Sequence, residues 1–463
     1  MTLAHLRLDE VARRVGGEIL GGDPGTVFRG YTIDARLARR GDLFFAIVGN
    51  RDGHDFIPQA AENGARGAVV SRDIAAPAAG FAMVKVPDTV AALQSLAGSV
   101  LLDHPVKVVA ITGSVGKTTT KEFTAGLLAS SFVVLKSEKN FNNHLGLALS
   151  LLRLENGHQV AVLEMGMSAP GEIAALVRLA PPDVAVITNV HPVHLEYFGT
   201  IEGIARAKKE ILDGMKADGT AVLNADDPQI ASLAADWRGR RVLFGRSPAW
   251  DVRAADIRTR GYEGLSFEFG YGRDTAQVDL PFIYESFVDD FLAAAGVAYA
   301  LSVPLNTVVT AALALKPFAM RGEMFLSGNS VRVLDDSYNS NPKALETALI
   351  SLVSLPAGRK VAVLGDMLEL GPKEREFHFE AGGAIARAGW NFLVTVGPLA
   401  RNMAAGAMAA GMPSAGIVSF DDSEEAARSL PGLLREGDLV LVKGSRGIRM
   451  EKIVESLRER AKE

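Results

Sequence analysis

The stretch from Val106 to Thr120, VKVVAITGSVGKTTT, limits this chain more than any other. An apolar run leads into Thr112-Gly113-Ser114-Val115-Gly116-Lys117-Thr118, and a helix-compatible segment follows. Glycines in such a loop let backbone N–H groups turn inward, the lysine brings a cation, and the threonine hydroxyl can hold Mg²⁺. The positive end of the following helix faces the same anion. Gly113, Ser114, Val115, Gly116, Lys117, Thr118 and Thr119 are therefore the candidate cradle for a nucleotide phosphate. The general pattern places a further glycine five residues before the second one, and here that position is Ile111. The loop is thus the shorter T-G-x-x-G-K-T form. A plain glycine-rich turn would not explain a Lys-Thr pair at its tip.

At 463 residues the chain is too long for one core, so roughly two to four domains are expected. Net charge is −5, which argues against a nucleic-acid partner, since such proteins carry a basic balance or stripe. No cysteine is present, which excludes disulfides and thiolate catalysis and suits a reducing compartment. The opening residues, MTLAHLRLDEVARRVGG, lack the uninterrupted apolar core of a signal peptide. No window of about 18 residues is apolar and uncharged enough to span a bilayer. A cytoplasmic protein is expected.

Three regions separate by pattern. Residues 1–105 mix short apolar runs, such as Leu43 to Ile47, with helical segments such as Ile57 to Asn63. Residues 106–316 alternate strand and helix patterns, with strands expected at Val106–Thr112, Phe132–Lys136, Gln159–Glu164, Asp183–Thr188 and Thr220–Leu223. Alternation of this kind implies a parallel sheet covered by helices. Asp251 to Leu280 reads as a small antiparallel extension, closed by helical patterns from Phe287 to Leu315. Lys316-Pro317 is a plausible boundary, because the residue before proline resists helix. Residues 317–463 alternate again, with strands expected at Val331–Asp335, Lys360–Leu364, Phe392–Val396 and Leu439–Val442. Helices fit Pro342–Ser354, Lys373–Ala388, Ser423–Leu434 and Met450–Arg458. This last region is an open α/β domain of Rossmann-like type. It has no G-x-G-x-x-G loop, so no dinucleotide is assigned to it.

Ligands of open α/β sheets sit beyond the carboxyl ends of the strands. Beyond the second long strand of the middle region stands Glu164, and beyond the third stand Asn189 and His194. A carboxylate at Glu164 could bind the Mg²⁺ that Thr118 touches. Taken alone it is a helix-capping or solvated residue; the phosphate loop two strands away favours the metal role. His194 alone is a poor magnesium ligand, and Lys208 alone is a solvated helix lysine. In Lys139-Asn140-Phe141-Asn142-Asn143-His144 the asparagines serve either as turn and N-cap or as amides for phosphate or substrate, with Asn143 a candidate nucleotide contact. Asp335 to Pro342 and Gly365 to Gly371 are strand-end loops of the last region. Arg321, at the domain junction, could reach a triphosphate as a planar donor, or it could simply pair with Glu323.

The motifs TGSVGKTTTK, NFNNHLG, LEMGM, TNVHPVHLEYFGT, ARAKKEI, LNADDP, DDSYNSNP, LGDMLELG and LVKGSRGIRME stand in one order along nearly the whole chain. In that order the chain resembles the Mur ligases, ATP-dependent enzymes that add amino acids to UDP-N-acetylmuramate in peptidoglycan synthesis. The resemblance implies three domains: a mixed α/β unit for the UDP-sugar over 1–105, a central ATP unit over 106–316, and a Rossmann-like unit over 317–463 that binds the incoming dipeptide and closes over ATP. NFNNHLG, DDSYNSNPKAL, LGDMLELG with His378 beyond it, and GNRDGHDFIPQA resemble the last-acting step. The implied partners are UDP-N-acetylmuramoyl-tripeptide and D-alanyl-D-alanine, and a monomer is expected.

Residue roles follow from the same resemblance. Lys117 matches the lysine on the β- and γ-phosphates. Thr118 and Glu164 match ligands of a first Mg²⁺, and His194 a ligand of a second. Lys208 matches a carbamylated lysine, which turns a cation into an oxygen ligand. Arg321 matches an arginine near the γ-phosphate. Asp336, Tyr338 and Asn339 match a loop closing over the nucleotide. Asp34-Ala35-Arg36 and Gly53-His54-Asp55-Phe56 match the region holding the UDP end, with Ala35 where relatives carry serine. Relatives also carry asparagines near adenine where this chain has Phe287 and Asp290. Phe287 stacking on the base, or a purine read by backbone, are the two alternatives there. The competing readings are another Mur-type ligase adding the third residue, a folate polyglutamate ligase, or a P-loop nucleotide switch. No N-K-x-D motif supports the last of these.

Overall fold

The computed structural model describes residues 5–138, 140–192, 198–235, 237–328 and 330–460. Three sheets follow one another along the chain. The first has five strands in the order Glu18–Gly21, Ala82–Lys85, Gly67–Val70, Asp42–Phe45, Gly30–Thr32. All its pairings are parallel except the one between Glu18–Gly21 and Ala82–Lys85. The helix Thr89–Leu102 leads out of this unit, its N-terminus capped by Asp88, whose carboxylate accepts from Val90 and Ala91 N–H. It packs against the helix His144–Leu151 and so ties the first unit to the second.

The second sheet has nine strands, with Lys107–Thr112 set between Val184–Ile187 and Val160–Glu164. Val108, Val109, Ala110 and Ile111 are all buried. This is why the strand reads as an unbroken apolar run, since parallel strands are covered on both faces. The chain leaves Lys107–Thr112, visits one side through Val134–Lys136 and Val160–Glu164, then crosses to the other at Val184–Ile187. The crevice where the order reverses is the ligand-binding position of such sheets. The antiparallel strands Val252–Thr259, Leu265–Tyr271 and Asp274–Leu280 extend this same sheet. Arg240–Gly245 bridges them to the parallel part. That bridging strand was not expected, because its first two residues are arginines at the exposed end. The helical stretch after Phe287 is two helices, Ser286–Ala300 and Leu305–Leu313, parted at Pro304.

The third sheet has six strands, ordered Glu323–Ser327, Val331–Asp336, Asp438–Lys443, Arg359–Gly365, Phe392–Val396, Ile417–Phe420. Only the first of these is antiparallel. Glu323–Ser327 and Ile417–Phe420 are edge strands too short and too exposed to stand out by pattern. The helix expected to run to Leu434 stops at Ser429, where Pro431 enters a single 3₁₀ turn, Leu430–Gly432. Proline's ring and missing N–H end an α-helix there. The chain is a three-unit α/β protein. No helix of the described residues is long and apolar enough to cross a membrane.

Candidate active site

The loop after Lys107–Thr112 is held from the neighbouring strand end. Ser114 N–H donates to Asn189 O at 3.0 Å, and Val115 N–H to Asn189 Oδ1 at 2.9 Å. Thr188 Oγ1 and Asn189 Nδ2 both donate to Val115 O. Gly113 has φ 155 and Gly116 φ 84, and a Cβ added at either would fall 1.8 Å from Thr188 Oγ1 or 2.0 Å from Asp290 Oδ1. Both sites therefore demand glycine for space, and Gly116 also for its left-handed backbone. The helix Lys117–Leu128 begins directly on Gly116, so its free N–H groups and dipole point at the loop. Lys117 Nζ lies over the loop and donates to Gly113 O at 2.8 Å. Burial lowers its proton affinity and the Arg321 charge lowers it further, while Glu164 opposes both.

Thr118 Oγ1 donates to Glu164 Oε2 at 2.8 Å. The second carboxylate oxygen accepts from Asn142 Nδ2 at 2.9 Å, and Ser137 Oγ accepts from Glu164 N–H at 3.1 Å. Arg321 Nη2 reaches in from the junction and donates to the same Thr118 Oγ1 at 3.3 Å. The Arg321 guanidinium lies 4.1 Å from the Tyr338 ring centre, a cation–π distance. Asp336 sits beside Tyr338 and binds Lys443 Nζ at 2.6 Å. Burial raises the Asp336 carboxyl, and Lys443 and then Arg321 pull it back down. These groups line one cavity of about 890 Å³ between the second and third units. Asn339, Asn341 and Lys343 form the wall contributed by the third unit.

A Mur ligase middle-domain profile matches residues 111–298, a Mur ligase glutamate-ligase-domain profile matches 320–446, and a Mur ligase family catalytic-domain profile matches 27–100. Together they span most of the three units. The chain belongs to the Mur ligase family. It is 34% identical to the UDP-N-acetylmuramoyl-tripeptide–D-alanyl-D-alanine ligase of Bacillus subtilis over 436 residues, 94% of each chain. A crystal structure of MurF from Acinetobacter baumannii superposes with a TM-score of 0.89 at 31% identity, covering 98% of this chain and 99% of that one. The MurF ligase of Thermotoga maritima in complex with ADP gives a TM-score of 0.80 at 32% identity, covering 94% and 99%. A free-standing nucleotide switch does not account for this full-length match.

Several residues expected from the Mur ligase resemblance are brought together: Lys117, Thr118, Glu164, Arg321, Asp336, Tyr338 and Asn339 all border the cavity. Lys208, on the buried face of the helix Ile201–Asp213, is 2% exposed. Burial pushes its ammonium well below the usual lysine range, and the Lys117 charge adds to this. His194 lies outside the described residues. Among the described residues no cluster of three or more histidine, aspartate or glutamate side chains could by itself hold a metal.

The structure puts the remaining expected residues in more particular settings. Asn143 is the N-cap of His144–Leu151, accepting from Gly146 N–H at 2.9 Å; the amide beside Glu164 belongs to Asn142. Phe287 borders the cavity but has no free ring face for a base, being 5% exposed, stacked on Tyr284 at 5.5 Å and packed against Phe282 and Phe123. Asp290 is buried beneath Gly116 and accepts from Thr120 Oγ1 at 3.3 Å. Burial raises its carboxyl far above the usual range, so it buttresses the loop. Near the N-terminus, His54 is buried, with Nδ1 on Asp52 at 2.6 Å and Nε2 accepting from Ser71 N–H at 2.9 Å. Both ring nitrogens are therefore used within the unit. Asp34 and Arg36 pair with each other at 2.6 Å, and Ala35 is packed in the core between them.

Sequence reasoning missed several cavity groups, and four of them hold the site together. His191 N–H donates to Ser114 Oγ at 2.9 Å, and burial lowers the affinity of its ring for a proton. Asp227 accepts from Val190 N–H at 2.7 Å and so holds the strand end. Arg246 binds Asp289 and Glu285, each at 2.9 Å. Lys443 is the fourth. Their signal is position just past a strand or inside the TNVHPVH, LNADDP and LVKGSRG motifs.

Proposed function

We propose that this chain joins D-alanyl-D-alanine to UDP-N-acetylmuramoyl-tripeptide at the expense of ATP. The observation that carries this is the convergence of Lys117, the Thr118–Glu164 pair and Arg321 at one end of a cavity walled by two domains. The full-length likeness to ligases of that specificity supports the choice of substrates.

A carboxylate is a poor acyl donor, because oxide is a poor leaving group. Transfer of the ATP γ-phosphoryl to the tripeptide's terminal carboxylate makes an acyl phosphate and ADP. The dipeptide amine attacks the acyl carbon, a tetrahedral species forms, and phosphate leaves as the amide is made. Phosphoryl transfer between anions needs positioning and charge neutralisation above all. Loop N–H groups and the start of Lys117–Leu128 receive the phosphates, and Lys117 exchanges its loop carbonyls for phosphate oxygens. Arg321 brings a second cation from the other side of the cleft. Thr118 Oγ1 and Glu164 offer a hydroxyl and a carboxylate within 2.8 Å, an oxygen set suited to Mg²⁺ sharing phosphate and water ligands. Bound there, Mg²⁺ would neutralise charge on the transferring phosphoryl group. Asn142 orients the Glu164 carboxylate, and Ser137 holds its backbone N–H.

Lys208 is suited to carbamylation. Among the described residues its Nζ has no hydrogen-bond partner, and burial favours the neutral amine, the form that adds to CO₂ with loss of one proton. His194 and carbamylated Lys208 would serve a second Mg²⁺. The wall around Tyr338 and Asn339 keeps water from the acyl phosphate.

The test is ADP release by the purified chain with Mg²⁺, ATP and UDP-muramoyl-tripeptide, varying only the amine. Release that requires D-alanyl-D-alanine is expected. Steady release without any amine, or with a single amino acid in its place, overturns the assignment.

A further inference from the structure

We infer that Arg446 holds the carboxylate of the incoming dipeptide, an inference that rests on the ligase reading above. The third sheet has its own reversal of strand order. Asp438–Lys443 comes last in the chain, yet it lies between Val331–Asp336 and Arg359–Gly365. The loops that follow these three strands meet at their carboxyl ends, the position where such sheets take ligands. They are bonded to one another through Ser445. Its N–H donates to Asp366 O at 2.9 Å, its Oγ accepts from Leu368 N–H at 2.9 Å, and the same Oγ donates to Ser340 O at 3.3 Å. Arg446 therefore projects from an anchored backbone.

Its side chain is 57% exposed. Nη1 faces Glu451 Oε1 at 3.1 Å and donates to Met320 Sδ at 3.9 Å. Among the described residues Nε and Nη2 have no hydrogen-bond partner, which leaves one edge of the fork free. Lys443 and Lys343 are paired with Asp336 and Glu346, and Arg321 is assigned to the phosphoryl group. A planar fork with an open edge matches a carboxylate with two parallel N–H···O bonds.

Spacing agrees with this assignment. The Tyr338 ring centre lies 4.1 Å from the Arg321 guanidinium carbon and 5.9 Å from that of Arg446. The two guanidinium carbons are therefore no farther apart than those distances laid end to end, about 10 Å. A chain spans at most about 3.3–3.6 Å per residue, so a dipeptide reaches roughly 7 Å. With its carboxylate on Arg446, its amine comes to the end of the cavity where Arg321 meets the phosphate. Both arginines lie against the Tyr338 ring, one for the phosphoryl group and one for the dipeptide's far end.

The experiment measures ADP release by the full chain with D-alanyl-D-alanine and with its C-terminal amide, for wild type, Arg446→Gln and Arg446→Lys. Wild type should prefer the acid by roughly 10- to 100-fold in kcat/KM, the range for hydrogen bonds to a charged group. Arg446→Gln should raise the KM for the acid by a similar factor, leave the KM for ATP unchanged, and treat acid and amide alike. Arg446→Lys, which keeps the charge, should recover part of the preference. An Arg446→Gln variant that still prefers the acid as wild type does overturns the inference. A wild-type chain that releases no ADP with the acid overturns the ligase reading itself, and this inference with it, before any variant is made.

Discussion

The second and third units are both open sheets with a reversal of strand order, yet they meet the ligand by different means. The second unit uses backbone. Gly113 and Gly116 admit no Cβ, and Asn189, Thr188 and Ser114 lock the loop to the next strand end. The third unit has no such glycine cradle and reaches out with side chains: Tyr338, Lys443, Arg446 and, from the junction, Arg321. A fixed ring of amides can grip a phosphate in any domain arrangement. Long side chains act only when their domain has arrived. The difference separates holding the nucleotide from using it.

Variants can break that separation. The largest effect is expected from Lys117→Ala, which removes the cation of the cradle itself; turnover should fall at least about 10³-fold, with weakened ATP binding by calorimetry. Normal activity after that change would end the phosphate assignment. Arg321→Ala should lower kcat by roughly 10²- to 10³-fold while ATP binding stays near normal, because the amide cradle is intact. Equal losses of binding and turnover would mean the junction arm belongs to the cradle. On the proposed carbamate, Lys208→Ala should remove most of the activity, and bicarbonate should not restore it.

The smallest effect concerns stability. Burial raises the Asp290 carboxyl in the folded chain, so the folded state binds that proton more tightly than the unfolded one. The group then favours folding below its unfolded value and loses that benefit as pH rises through the folded value. Asp290→Asn keeps an acceptor for Thr120 and removes the charge. It should raise Tm, and by more at pH 8 than at pH 5. A Tm that falls at both pH values would show the carboxylate to be a net benefit to the loop.

What could be read from sequence was what is local. The phosphate loop is contiguous, its strand is buried on both faces, and its lysine and threonine sit at fixed offsets. Glu164 was legible because a strand end marks it. Arg240–Gly245 was not, since its charged start hides a strand that is buried only toward its end. The asparagine triplet was half legible: type and place were clear, but which amide caps the helix and which turns to Glu164 depends on one residue of backbone direction. His54 shows another limit: its motif is visible in the sequence, and only coordinates reveal that Asp52 and Ser71 use both ring nitrogens. Arg446 lay inside a recognised motif, but its relation to Arg321 passes through Tyr338 and spans more than a hundred positions of chain.

Thr118 offers a last consequence. One oxygen gives its proton to Glu164 and takes one from Arg321, so a single small side chain is the seam between two bodies. An inhibitor need not compete with ATP for every amide of the cradle. A small wedge lodged between that hydroxyl and the guanidinium would take the ground that the transferring phosphoryl group needs, from a place that no amide of the cradle touches.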